Sequence, residues 1–416
     1  MKRLVLMIIP ALISVMRKNV FEYAKCLVIL LIAAVFFSCE KQSSSVQTDD
    51  EDEGLHIELI IPIVPLTDYS SIVFVGQFMD NSDDGSRSLY TMDKSGNNIR
   101  KIVDKTVGCQ KPARSHCGTR LLFTHVKFDT WVNPDNSVGM SSEYELYIVN
   151  TDGTALTLID RIDRTKSGAF GNFDWSPDGK HIVYSKFTFY TDRIEDRDLI
   201  LYNISDNTRT ILLTQGQACT PKFSPDGKYI AYCTEVEGEI IIPSHNTHHV
   251  YIIDVVKKNN QLLIRNAASP VWSPQGDKIA YSSSGEAGSS QIFVANVDGR
   301  NKKQLTHTVS PIRYPGWAPD GNDDPQWTPD GKQIVYVSWE NGRPGIFLMN
   351  ADGSNQTRLT TAEYRDEHPE VTPDGKHILF SSRRSDMMNH GIVMMTLDGK
   401  NQKVLSKSGT FPVASR

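Results

Sequence analysis

The chain has 416 residues, six of them cysteine, and a formal charge of −5. Five basic residues and one Glu fall in the first 38 positions, so the remainder holds 39 basic against 48 acidic residues and carries −9. An acidic body with no basic stripe argues against a nucleic-acid partner, and the length admits either one large repeat domain or two to three average ones.

Residues 26–37 form an apolar run of 12, preceded by Arg17, Lys18 and Lys25. The run is too short to span a bilayer comfortably and reads as the h-region of a signal peptide, 1–38. It ends in Phe36-Phe37-Ser38-Cys39, which resembles a bacterial lipobox and makes Cys39 the expected lipidation site; ordinary secretory cleavage or a short anchor is the competing reading. A second apolar run at 4–16 has no cleavage site of its own, so translation is expected to start at Met16. Residues 39–54 are Ser-rich and then acidic from Asp49 to Glu53, with too little apolar content to order themselves, and read as a tether. An acidic stretch soon after a lipidated Cys also resembles the surface-export signals of Bacteroidetes lipoproteins.

From residue 55 onward one pattern repeats. Phe173-Asp174-Trp175-Ser176-Pro177-Asp178-Gly179-Lys180 reads as a strand followed by a type I turn with a G1 bulge, Pro presetting φ and Gly taking the φ > 0 site. A second strand, Ile182-Val183-Tyr184, follows. The turn recurs with prolines at 225, 274, 329 and 373, spaced 48, 49, 55 and 44 residues apart, the period of a four-stranded propeller blade. Second-strand words begin at Ile72, Leu121, Ile182, Ile230, Ile279, Ile334 and Ile378, and third strands leading into Asp-Gly turns follow most of them. The expectation is an all-β chain: a seven-bladed β-propeller of four-stranded antiparallel blades over residues 55–416. Two segments compete to supply the innermost strand of the first blade, residues 60–65 and the tail 411–415, which aligns with the first strands of other blades.

The same hairpin pattern makes a statement about two cysteines. With Ser224 opposite Lys228, directly opposed residues sum to 452, and Cys219 and Cys233 face each other as a disulfide or as two buried thiols. Cys117 sits at a turn position and Cys109 at the far end of the same strand, so those two are not expected to bond.

In a propeller the first-to-second and third-to-fourth turns share one face. Here that face holds uniform Pro-Asp-Gly and Asp-Gly turns, which are turn chemistry. The other face is expected to carry long irregular insertions at 127–142, 188–198, 237–249 and 307–324, and long loops in compact domains are often functional. They hold Trp131, Tyr190, His245, His248, His249, Arg313, Tyr314 and Trp317, with Arg365 and His368 arriving from a neighbouring crossing; aromatic and Arg side chains are common binding anchors. His245-Asn246-Thr247-His248-His249 invites a zinc reading, but its spacing matches no strong metal signature, and a strand beginning at Val250 turns His248 and His249 to opposite sides. No metal or other cofactor is assigned.

The repeat P-x-W-S-P-D-G-K-x-I-x-Y, with D-G-x-x-x-x-x-L-T at the blade end, resembles the PD40 repeat of the TolB family over roughly residues 65–415. TolB is a periplasmic protein that partners an outer-membrane lipoprotein and carries an α/β domain ahead of its propeller; residues 40–65 are too few for that domain. The resemblance therefore implies a TolB-like lipoprotein of the cell envelope, outer-membrane-anchored and periplasmic or surface-exposed. On that reading it is expected to touch the membrane through its lipid alone and to bind an envelope protein or a glycan, without catalysis. The alternative is a metal-dependent polysaccharide lyase, since oligogalacturonate lyases have related propellers, although their His/Gln metal motifs find no residue-by-residue match. Prolyl oligopeptidases also carry similar propellers, but the chain has no G-x-S-x-G elbow.

Overall fold

The structure is a computed structural model that describes residues 71–76, 87–103, 110–132, 138–162, 167–190, 193–214, 218–235, 248–284, 289–308, 321–339, 343–384 and 390–415. The expected signal peptide 1–38, Cys39, the expected tether 39–54 and residues 60–65 lie outside them. The described residues contain strands and turns and no helix, arranged as seven four-stranded antiparallel sheets that form a seven-bladed propeller.

Numbered from the N-terminus, blade two consists of Gln110–Arg114, Arg120–Val132, Val138–Asn150 and Thr157–Ile162. Blade three is Ser167–Trp175, His181–Tyr190, Arg193–Asn203 and Thr208–Leu213, and blade four is Ala218–Phe223, Tyr229–Glu235, His248–Asp254 and Asn260–Ile264. Blades five, six and seven open with Ala267–Trp272, Asn322–Trp327 and Arg365–Val371. Blade one takes three strands from the N-terminal side, Ser71–Gly76, Ser88–Asp93 and Arg100–Lys101, and its innermost strand, Thr410–Ser415, from the tail. The tail strand pairs antiparallel with Ser71–Gly76 and so covers an edge that would otherwise be open.

The second strands are apolar without interruption rather than alternating. Ile182, Val183 and Tyr184 are all buried, as are Ile334, Val335 and Tyr336. A middle strand of a blade is covered on both faces by the neighbouring blades, so its apolar residues run continuously. The core consequently lies between blades. Val183 and Leu199 of blade three pack with Phe223, Ile230 and Tyr232 of blade four, and Leu379 and Ile392 of blade seven pack with Ile72, Phe74 and Ala414 of blade one. Each such side chain contributes about 1.5–3 kcal/mol on burial.

The hub is tied by indole N–H groups. Trp175 donates to the Ala113 carbonyl (3.1 Å), Trp272 to Lys222 (3.0 Å) and Trp327 to Val271 (3.3 Å), in each case one blade back. The turns interlock as well. Arg120 donates to the Gly179 carbonyl at 2.7 Å, and Lys303 and Lys403 reach the carbonyls of Asp352 and Ser95 on the third-to-fourth-strand turns of the next blades. Gly299 has φ +76°, and a Cβ there would meet the Leu263 carbonyl at 2.7 Å, so glycine is required both for its dihedral and for the close approach.

The turn itself is one residue longer than the sequence suggests. Ser224 N–H donates to the Tyr229 carbonyl, leaving Pro-Asp-Gly-Lys as a four-residue loop, while Gly227 N–H closes the inner turn on Ser224. Asp226 accepts from the Ser224 hydroxyl (2.6 Å) and from Lys228 N–H (3.1 Å), and the same pattern recurs at Asp178, Asp330 and Asp374. Blade five has Gln275 in that place, and Asp277 takes the Ser273 hydroxyl instead (2.8 Å).

Candidate functional site

Two of the four expected insertions are regular structure. Arg120–Val132 and Val138–Asn150 pair continuously through Trp131↔Gly139 to Val132↔Val138, and His181–Tyr190 pairs with Arg193–Asn203 up to Tyr190↔Arg193. The sequence reading of 127–142 and 188–198 as irregular loops is therefore corrected. A chain rich in Thr, Val, Tyr and Phe satisfies its backbone groups by prolonging the hairpin. The second strands of blades one and four to seven have 6 or 7 residues, that of blade three has 10 and that of blade two has 13, so the blade-two hairpin extends roughly 20 Å beyond the short ones at about 3.3 Å per residue. Both long hairpins stand on the face opposite the Pro-Asp-Gly turns, on adjacent blades.

A charge network centred on a buried carboxylate lies at their base. Glu145 is inaccessible to solvent and accepts from Lys127 Nζ (2.8 Å), Tyr147 Oη (2.9 Å), Arg161 Nη2 (3.0 Å) and His125 Nδ1 (3.2 Å). Burial opposes its charge, but the hydrogen bonds from Lys127, Tyr147 and His125 outweigh that and lower its pKa to about 2. Tyr147 is pushed up to about 12 by burial and by Glu145. Asp160, on the outermost strand of the same blade, accepts from Tyr184 Oη (2.8 Å) and Lys186 Nζ (3.0 Å) of blade three. Lys186 and Arg197 in turn lie over the rings of Phe170 and Phe187. Nothing in the sequence spacing singles out this network, because Glu145, Lys127 and Arg161 meet only when three strands lie side by side.

The expected site residues are dispersed. Trp131 and Tyr190 lie on the long hairpins. His248 and His249 open the third strand of blade four, earlier than the expected start at Val250. His249 is buried, and its Nδ1 accepts from Asn266 N–H at 3.1 Å, which fixes the crossing into blade five. Arg365 and His368 share the first strand of blade seven, three blades away. Arg365 is paired with Glu367 (3.2 Å) and lies over the Trp339 ring. His368 has φ 54° and its ring lies 4.2 Å from that of Phe411. His245, Arg313, Tyr314 and Trp317 lie outside the described residues. Cys219 and Cys233 are directly opposed and disulfide-bonded, with Cα atoms 5.1 Å apart. Cys117 is a free, exposed thiol, and Cys109 lies outside the described residues.

The innermost strands carry a feature that sequence reading missed. Each of those starting blades four to seven and the tail strand has a bulge with a non-glycine residue at positive φ: Thr220, Ser269, Asp324, His368 and Phe411. The bulge re-aims one side chain per blade. At the Pro-Asp-Gly end the channel opens into a cavity of about 550 Å³ lined by Asn172, Thr220, Ser269 and Asp324 from this level and by Lys222, Gln326 and Glu370 from the level below.

Seven four-stranded blades, four of them carrying a Pro-Asp-Gly turn, define a repeat-built β-propeller. The chain belongs to the PD40 family, the TolB beta propeller domain, whose model matches residues 124–323 and 322–412. It is 25% identical over 247 residues to an uncharacterised protein of Agrobacterium fabrum, covering 56% of this chain and 74% of that one. It is 33% identical over 87 residues to the Tol-Pal system protein TolB of Hahella chejuensis, covering 20% of this chain and only 18% of that relative's length. Among solved structures, an oligogalacturonate lyase in complex with manganese shares the fold at a TM-score of 0.58 and 17% identity, covering 79% of this chain and 86% of that one.

Proposed function

We propose that this protein is a lipid-anchored binding propeller of the cell envelope that holds a protein or glycan partner on its long-hairpin face and catalyses no reaction. One observation carries the reading: two neighbouring hairpins, on blades two and three, have strands that extend beyond the described second strands of the other blades on a base fixed by the Glu145 and Asp160 networks. A projecting pair of ribbons offers backbone edges to a partner, and the ion pairs of Glu145 and Asp160 at its base hold the approach angle. The relatives named as Tol-Pal system proteins support an envelope role, and the Cys39 signal supports a lipid anchor.

The test is affinity capture from native envelope with the full chain, compared with a variant in which residues 128–142 are replaced by a two-residue Asn-Gly turn. Loss of a specific captured partner in the shortened variant supports the reading, and equal capture by both overturns it. Metal analysis of the same preparation separates the lyase alternative. Stoichiometric manganese or zinc that is lost on His248→Ala or His368→Ala would favour catalysis.

A further inference from the structure

The cavity at the turn-face end of the channel lies at the opposite end of the propeller from the long hairpins, and its chemistry is two-signed. Lys222 and Glu370 occupy equivalent places, one residue before the hub positions Phe223 and Val371, on blades four and seven. In a seven-blade ring those blades are nearly diametrically opposed, so a cation and a carboxylate face each other across the lumen. Lys222 is only loosely held: its Nζ lies 3.6 Å from Asp174, and its side chain is 41% exposed. Asp174 is meanwhile engaged by Phe223 N–H at 2.8 Å. Among the described side chains nothing donates a hydrogen bond to the Glu370 carboxylate. Burial pushes that group up, opposed by the positive charges of Arg114 and Lys222. On the same side Asp324 adds a second carboxylate, and hydroxyls and amides lie between the two poles.

Each simple ligand class leaves one pole unmatched. An anion suits Lys222 but faces Glu370 and Asp324, a cation suits those two but faces Lys222, and an apolar molecule would strip water from both. A small molecule with separated opposite charges satisfies both poles, and the volume lies within the range of ordinary ligand pockets. We propose that this end of the channel binds a small zwitterion of the α-amino acid or dipeptide class, its ammonium at Glu370 and Asp324 and its carboxylate at Lys222.

The experiment is isothermal titration of the full chain with L-alanyl-L-alanine, its N-acetyl form and its C-terminal amide. Binding of the free dipeptide, with each blocked form at least tenfold weaker, is expected. Lys222→Met should abolish the preference for the free carboxylate while keeping that for the free amine, and Glu370→Gln should do the reverse. Absence of binding by the dipeptide and by the twenty free amino acids would overturn the proposal. So would a blocked form that binds as well as the free one, a comparison that needs no variant to fold. Because the site is remote from the hairpins, failure here leaves the partner-binding reading standing.

Discussion

Cys219 stands directly opposite Cys233 in the first hairpin of blade four, Cα to Cα 5.1 Å. Nearer the turn the register is different: Lys222 faces Ala231 and Phe223 faces Ile230, one step away from the register of the cysteines. The bulge at Thr220 absorbs that step. The longer turn and the bulge cancel, which is why a register extrapolated from a three-residue loop still brings the two cysteines together.

The bond closes a short loop inside a hairpin that is already paired, so its removal should lower stability by about 2–3 kcal/mol or less. Chemical denaturation with and without reductant measures this. Proteolysis without reductant should yield residues 219 and 233 in one cross-linked fragment. Separate fragments carrying free thiols would contradict the pairing.

Trp175→Phe should destabilise the propeller by roughly 1–2 kcal/mol, because it leaves the Ala113 carbonyl without its indole donor in a partly buried place. Phe223→Leu, at a hub position with no such donor, removes apolar contact alone. A Trp175→Phe variant that melts with the parent would show the hub bond to be dispensable.

Removing residues 410–416 should unseal the ring. The strand Ser71–Gly76 would lose its inner partner and expose an unpaired edge, so the truncated chain should aggregate or lose cooperative unfolding in a thermal scan followed by size-exclusion chromatography. Ala414→Asp is a milder probe: Ala414 is fully buried against Ile72 and Phe74, and an unpaired carboxylate there should lower stability by several kcal/mol. Normal melting of both variants would mean that another segment closes blade one.

Glu145 gives the fold a defined acid sensitivity. Its pKa falls from 4.5 to about 2 on folding, so its contribution is complete above pH 4.5 and is lost as pH falls from there towards 2, an upper limit of about 3 kcal/mol. Glu145→Gln should therefore be less stable than the parent at pH 7, and the gap should narrow below pH 4.5. Urea midpoints measured at pH 7, 4 and 3 decide it; a gap that is constant across that range would remove Glu145 as the cause.

The blade count, the turn positions and the sealing strand's kinship with other first strands were all legible in the chain, because each rests on local words repeated at nearly constant spacing. Pro-Asp-Gly fixes a turn through φ and a side-chain hydrogen bond within five residues, and that chemistry acts wherever the word occurs. The choice between residues 60–65 and the tail was not legible, since both present an apolar strand of the right length, and only pairing with Ser71–Gly76 selects one. Residues 127–142 carried no turn word strong enough to distinguish a loop from a prolonged hairpin. The Glu145 network, the positive-φ ring around the channel and the Lys222–Glu370 opposition were silent for a different reason. They join residues on different strands or blades, as Trp175 and Ala113 are joined across 62 positions, and such contacts exist only once strands and blades have packed together.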